Sequence, residues 1–239
     1  MPNYYPVYLK LSGRRCVIFG GGPISEGKLS KLMDTGAQVA IISPQVTPVI
    51  RALAHAGSLE WTPREYQQGD LEGAFLGIAA TDNRSVNQEI AQEAERRGVV
   101  LNVVDDPELC GFIAPSVVQR GPVTVAISTG GASPALARKL RETLANTQAL
   151  EWADLANVLS RARKQVKHQG IAVDAQRWQC CLTDDLLHLA QSGREDEALD
   201  QFLGSLLDRN TPWLCPDLDQ CQSKGCLTQV SEPAAAAKA

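Results

Sequence analysis

The sequence predicts an α/β protein: a Rossmann-like, doubly wound parallel sheet followed by a small β region and an α-helical domain. Three observations carry this. Between residues 14 and 104, short apolar runs alternate with amphipathic stretches of helix length. The runs are apolar throughout, as strands covered on both faces are. After residue 112 the pattern changes to two strand-like runs and then to helical periodicity alone.

In chain order, Arg15 to Gly20 reads as a first buried strand that runs into Gly20-Gly21-Gly22. Pro23 to Thr35 puts Ile24, Leu29, Leu32 and Met33 at helical spacing, and Gly36 suits the helix end. Strands follow at 38–43, 58–62, 75–81 and 99–104, with helices at 46–56 and 83–97, where Val86, Ile90 and Ala94 recur every fourth residue. Runs at 112–120 and 123–128 read as two strands joined by Gly121-Pro122. Thr129 to Ser133 is a glycine-bearing bend, with Ser133 as N-cap and Pro134 as the first residue of a long helix. Its later part carries Trp152, Leu155, Leu159, Ala162 and Val166, a seam suited to a partner helix. Two more helices are expected at 184–191 and 195–208. The division is then 1–112, 113–150, 151–209 and a flexible tail at 210–239. The seam, and a two-stranded unit that is marginal alone, predict a homodimer.

Composition narrows the function. The chain has 239 residues, 44% hydrophobic and 21% charged, with a formal net charge of −4. That is enough for one or two domains with cores, and it argues against a nucleic-acid binder. No apolar stretch approaches the roughly 20 residues that span a bilayer, and Met1 to Pro6 lacks a leader pattern, so no membrane association is expected. Seven cysteines, odd in number and without C-x-x-C, suggest a reducing compartment, taken as the cytoplasm. Cys215, Cys221 and Cys226 lack a paired spacing and a nearby histidine. His55, His168 and His188 have no second ligand at helical spacing, so no metal site is expected.

The glycine run sits at a strand-to-helix junction. Gly20 suits the tight turn, Gly22 lets a pyrophosphate approach the backbone, and Ser25 stands where a third small residue packs helix on strand. Free N–H groups and the helix dipole make such a junction an anion site. A triphosphate loop over Gly22 to Lys28 is the weaker reading, because Leu29 replaces the hydroxyl that holds Mg²⁺. At the end of the second strand, Ser43 and Gln45 can bond a ribose without adding charge, which leaves NAD against NADP open. Thr81-Asp82 lies at the sheet edge where such folds bind ligands, although Asp82 could equally cap the next helix. Asp105-Asp106-Pro107 follows another strand. It reads as a turn or as a carboxylate placed to take a proton while hydride leaves.

Taken in order, the leader Tyr5 to Leu11, the glycine run, Ala79 to Asp82, Asn102 to Asp105, Phe112 to Pro115 and Ser128 to Arg138 resemble the precorrin-2 dehydrogenase and sirohydrochlorin ferrochelatase family, the N-terminal module of siroheme synthases. The likeness is close over residues 4–150 and only helical in outline over 151–208. It implies a Rossmann domain, a dimerisation region at 113–150 and a helical domain, with NAD as hydride acceptor. It implies oxidation of precorrin-2 to sirohydrochlorin, with Fe²⁺ insertion as a second activity. It puts the key carboxylate at Asp105, pyrophosphate contacts at Gly22, Pro23 and Ile24, and ribose-side contacts at Ser43, Pro44 and Gln45. Ser128 falls in the active cleft and in some members is phosphorylated. Gly130, Gly131, Ser133 and Arg138 belong to the segment expected to meet the substrate. Because that substrate is a polycarboxylate tetrapyrrole, Arg120, Arg138, Lys139 and Arg141 are candidate anion contacts, with a solvated helix face as the plainer reading. The chain departs from the family at Ser25, Gly27 and Gly111. Two other classes fit the same residues: a non-catalytic NAD(H)-binding regulator, and a ferrochelatase or tetrapyrrole carrier without dehydrogenase activity.

Overall fold

The computed structural model describes residues 4–208. By internal contacts these form two units. One holds the chain through Pro115 together with Ser128–Ala135; the other holds Ser116–Ile127 and the chain from Leu136 onward.

The first unit is built on five parallel strands, β1 (Arg15–Phe19), β2 (Gln38–Ile42), β3 (Glu60–Thr62), β4 (Leu76–Ala79) and β5 (Val100–Val103). Their order across the sheet is β3-β2-β1-β4-β5. Helices α1 (Pro23–Met33), α2 (Pro48–His55) and α3 (Arg84–Arg97) cross between them. Successive side chains of β1 go to opposite faces. Cys16 and Ile18 join Leu29, Ile41, Ile50 and Ile78 in one core, while Val17 and Phe19 join Ala79, Ile90, Leu101 and Val103 in the other. This double burial accounts for the unbroken apolar runs. The chain winds outward from β1 to β3 and then returns to the other side of β1 at β4. The switch in strand order therefore lies between β1 and β4.

Local chemistry sets the element ends. Thr47 caps α2 by accepting from Ile50 N, and Pro48 takes the first helical position, so this helix starts later than residue 46. Gly98 closes α3 in the left-handed region at φ 67. Asn83, not Asp82, caps α3: its side chain accepts from Ser85 N and Val86 N. A buried carboxylate fixes the long β3–β4 connection. Glu93, 1% exposed, accepts from Tyr66 Oη at 2.7 Å, Gly69 N at 3.0 Å and Leu71 N at 3.3 Å, and pairs with Arg97 at 2.7 Å.

The second unit opens with an antiparallel hairpin, β6 (Ser116–Arg120) and β7 (Val123–Ile127), which registers Arg120 against Val123. Gly121, at φ 55, supplies the first position of its two-residue turn. Residues 112–115 are not strand. The helices are α4 (Pro134–Ala145), α5 (Ala156–His168), α6 (Ala175–Cys180), α7 (Asp184–Gln191) and α8 (Glu195–Leu207), with a 3-10 stretch at Gln148–Leu155. The single long helix expected from Pro134 is thus broken. Asn146 Nδ2 bonds Glu142 O at 2.9 Å and Thr147 Oγ1 bonds Leu144 O at 2.9 Å, so side chains take the carbonyls that a continuing helix would use. The seam is also reassigned. Leu155, Val158, Ala162 and Val166 bury against Leu186, Leu187, Leu199 and Phe202 of α7 and α8, and Trp152 stays 38% exposed. The partner of this row is the chain's own helices. Among the described residues no helix is long and apolar enough to cross a membrane. Cys215, Cys221, Cys226 and the expected tail lie outside the described residues.

Candidate functional site

Four strand ends converge on one edge of the first unit. Gly20, at φ 101, donates from its N–H to Ile42 O at 3.0 Å, and a β-carbon on it would stand 2.3 Å from Ala80 O. Gly21 is as tight, with its missing β-carbon 2.1 Å from Gln45 O. Gly22 differs: nothing lies within 4 Å of where its β-carbon would be. It stands at the N-cap of α1 in extended backbone, without a side-chain cap. The first two glycines therefore let the β1–α1 turn pack against its neighbours, and the third leaves an open backbone face at the positive end of a helix.

The other predicted residues take definite places. Pro23, at the first helical position, has no N–H to give, and Ile24 is 53% exposed beside it. Ser43 is buried and its hydroxyl donates to Gln45 O at 2.7 Å, so it is not free to donate outward. That bond shapes Ser43-Pro44-Gln45 into the turn that packs on Gly21. Thr47 Oγ1 then donates to Glu26 Oε2 at 2.6 Å and Thr47 N to Gly21 O at 2.9 Å, which ties the β2–α2 loop to the glycine turn. Thr81 Oγ1 bonds Asn87 Oδ1 at 2.6 Å, while Asn87 Nδ2 returns a bond to Thr81 O at 3.0 Å; Asp82 is exposed at the same edge.

Asp105 is the one non-glycine residue with positive φ, 60°, among the described residues. Left-handed backbone on a carboxylate-bearing residue costs about 1–2 kcal/mol and tends to mark functional positions. The strain is held from below. Val104 N bonds Ala79 O at 2.9 Å, and the Cys110 thiol sits between Val103 N at 3.2 Å, Asn102 Nδ2 at 3.5 Å and Asp106 O at 3.3 Å. Burial pushes this thiol up, so it serves as a neutral hydrogen-bonding group. Asp106 pairs with Arg84 Nε at 3.5 Å, its side chain 18% exposed, whereas Asp105 is open to solvent. The two adjacent acids thus separate into a tethered one and a free one.

The sequence reading missed Lys28. Half-buried on α1, it lies within electrostatic reach of Asp105; burial, with help from Lys31, holds its ammonium below the ordinary lysine range. Its position one turn beyond Ser25, on the helix that leaves the glycine run, is the signal that could have found it.

The Ser128–Ala135 segment belongs to the same unit. Ser128 Oγ accepts from Gly130 N at 3.0 Å, and Thr129 Oγ1 accepts from Ser133 N and donates to Ser133 O, both at 3.1 Å. Gly130 and Gly131, at φ 62 and 89, make the bend that these bonds close. Arg138 lies exposed on α4 in the other unit. Arg120, a candidate anion contact, is engaged by Asp154 through both carboxylate oxygens, at 2.8 and 2.6 Å.

The site fits a dinucleotide. An open backbone face at Gly22, and glycines at 20 and 21 with no room for side chains, are what a pyrophosphate cradle between β1 and α1 requires, and Ser25, fully buried, is small enough for the close helix packing. The end of β2 carries no carboxylate.

Comparison with known proteins agrees with this geometry. Residues 7–116 match the family described as "Putative NAD(P)-binding", and residues 120–147 match the sirohaem biosynthesis protein central family. The siroheme synthase of Thioalkalivibrio sulfidiphilus is 37% identical over 211 residues, covering 86% of this chain and 43% of that protein. That of Methylococcus capsulatus is 40% identical over 198 residues, covering 82% and 42%. The chain therefore spans less than half the length of these curated relatives. A solved structure of SirC, a precorrin-2 dehydrogenase, shares the fold at a TM-score of 0.65 and 23% identity, covering 83% of this chain and 98% of that one. From residue 7 to residue 147 the chain thus matches, in order, the NAD(P)-binding and sirohaem biosynthesis central families, and over most of its own length it is similar to siroheme synthases.

Proposed function

We propose that this protein oxidises precorrin-2 to sirohydrochlorin, with NAD as the hydride acceptor and Asp105 as the base. The observation that supports the reading best is the shared sheet edge. The glycine turn after β1 and the strained, exposed Asp105 after β5 flank the switch point, the place where a dinucleotide and its substrate meet in this fold.

The dinucleotide, when bound, supplies the hydride acceptor. The chain's own residues do the rest. The Gly22 backbone and the N-terminus of α1 receive the pyrophosphate. Ser43, Pro44 and Gln45 form the ribose-side wall, and Thr81 with Asp82 the neighbouring edge. An ionised Asp105 takes the proton released as the macrocycle loses hydride; a positioned acid or base contributes roughly 10²–10⁴-fold in rate. Ser128, Gly130, Gly131 and Ser133 are the proposed contacts for substrate carboxylates; Arg138, on α4 of the second unit, is a separate candidate contact.

NAD is favoured over NADP because no arginine or lysine stands at the Ser43-Pro44-Gln45 turn to meet a 2′-phosphate. Fe²⁺ insertion into the product is proposed as a second activity, since the relatives are named for siroheme, the iron-bearing macrocycle. A homodimer is proposed through the β6–β7 hairpin, a two-stranded unit with Val117 41% exposed. The thiols of Cys16, Cys110 and Cys181, none of them in a disulfide, favour a reducing setting such as the cytoplasm.

The test is direct. Purified protein supplied with precorrin-2 and NAD should accumulate NADH and sirohydrochlorin, with NADP a poorer acceptor. Failure to form NADH or NADPH from competent substrate rejects the dehydrogenase reading. Tight NAD(H) binding without turnover would favour a regulator, and metal insertion independent of NAD a chelatase.

A further inference from the structure

Ser25 is 0% exposed, and its hydroxyl has no hydrogen-bond partner. It stands on the first turn of α1, at the position where the dinucleotide pattern has glycine or alanine. It points at the turn itself: its Oγ lies 3.4 Å from the place a β-carbon would take on Gly20. A serine at this point in a helix usually satisfies itself on a backbone carbonyl. Here it does not, although Gly21 O, which accepts from Thr47 N at 2.9 Å, and Gly22 O, which accepts from Glu26 N at 3.1 Å, each keep a second lone pair. A buried polar group left unpaired is unfavourable, so the closed turn carries a penalty that a methyl group would not.

We propose that Ser25 is a pyrophosphate-sensing residue: on dinucleotide binding the Gly22 end of the turn gives way while Gly20 stays held against Ala80, and the Ser25 hydroxyl donates to a pyrophosphate oxygen. This rests on the function proposed above. Being fully covered, the hydroxyl meets no ligand while the turn is closed. Gly22 is the one glycine of the turn with open space beside it, nothing lying within 4 Å on its β-carbon side. Serine thus raises the free energy of the empty turn and lowers that of the occupied one, and both effects favour the ligand.

The experiment compares wild type, Ser25→Ala and Ser25→Thr by calorimetric titration with NADH, ADP-ribose and adenosine, and by thermal denaturation without ligand. Ser25→Ala should weaken NADH and ADP-ribose roughly tenfold, leave adenosine unchanged, and keep or raise the Tm of the free protein. Ser25→Thr retains the hydroxyl and should recover affinity if the added methyl is tolerated, which its own Tm reports. Unchanged affinity of Ser25→Ala for ADP-ribose overturns the inference, as does a loss shared equally with adenosine. A lowered Tm with unchanged affinity would make Ser25 a packing residue only. If wild type itself binds neither NADH nor ADP-ribose, the proposed function fails first, which is a different result from a wild type that binds and a variant that binds equally well.

Discussion

Gly20 and Ala80 meet so closely that the α-carbon of one faces the carbonyl oxygen of the other with no room for a β-carbon, which would sit 2.3 Å from that oxygen. This contact joins the ends of β1 and β4 across the switch point and fixes the height of the glycine turn above the sheet.

Gly20→Ala should therefore damage the fold as well as binding. Its φ of 101 is unfavourable for alanine, and the carbonyl it would strike is backbone. A loss of about 2–4 kcal/mol is expected, read from chemical denaturation. Gly22→Ala should behave oppositely. Its β-carbon enters open space, so the Tm should hold within about 2 °C while dinucleotide affinity falls. Equal destabilisation by both variants would show that the three glycines serve packing alone.

Asp105→Asn tests the base. Asparagine tolerates left-handed backbone as aspartate does, so the fold should be unchanged. Turnover should drop by roughly 10²–10⁴ while NADH affinity stays within about twofold. Wild-type turnover in this variant would remove Asp105 from the chemistry.

Gly27→Ala should stabilise. The residue lies inside α1, exposed, with nothing within 4 Å of a new β-carbon, so helix propensity alone acts. A gain of up to about 1 kcal/mol is expected. A loss would mean that the helix needs its freedom at this point.

Glu93 and Tyr66 give a pH signature. Burial raises the Glu93 carboxyl, but bonds from Tyr66, Gly69 and Leu71 and the charge of Arg97 outweigh it, leaving the group below its ordinary 4.5. A depressed acid contributes stability above its unfolded value, lost as pH falls through the folded one. Tyr66 is raised from 10.0, first by burial and then by Glu93, so its contribution is present below pH 10 and lost as pH rises further. Stability should fall below about pH 4.5 and again above about pH 10. In Tyr66→Phe the alkaline limb should flatten and about 1–3 kcal/mol be lost near neutrality, because a buried carboxylate loses a donor. An unaltered alkaline limb would place that titration elsewhere.

The parallel sheet was legible because its strands are covered on both faces, which leaves runs such as Cys16 to Phe19 with no polar interruption. The glycine run was legible because nothing but glycine fits at Gly20 and Gly21. The break after Ala145 was not, because Asn146 and Thr147 are ordinary helix-surface residues until their side chains turn back onto the preceding carbonyls. Helix α6 went unseen because six residues are too few to show a period, although Asp174 caps it by accepting from Gln176 N. The row from Leu155 to Val166 correctly announced a helix partner, but sequence spacing holds no information about which chain supplies it. Lys28 and Asp105 lie 77 positions apart (105 − 28), and only the folded chain brings them within electrostatic reach.

The stretch Ser128–Ala135 belongs to the first unit, although the hairpin that precedes it belongs to the second. The backbone therefore crosses between the units three times, after Pro115, after Ile127 and after Ala135, so the first unit is discontinuous in sequence. A fragment cut at residue 115 keeps every strand of the parallel sheet yet lacks the returning segment of that unit.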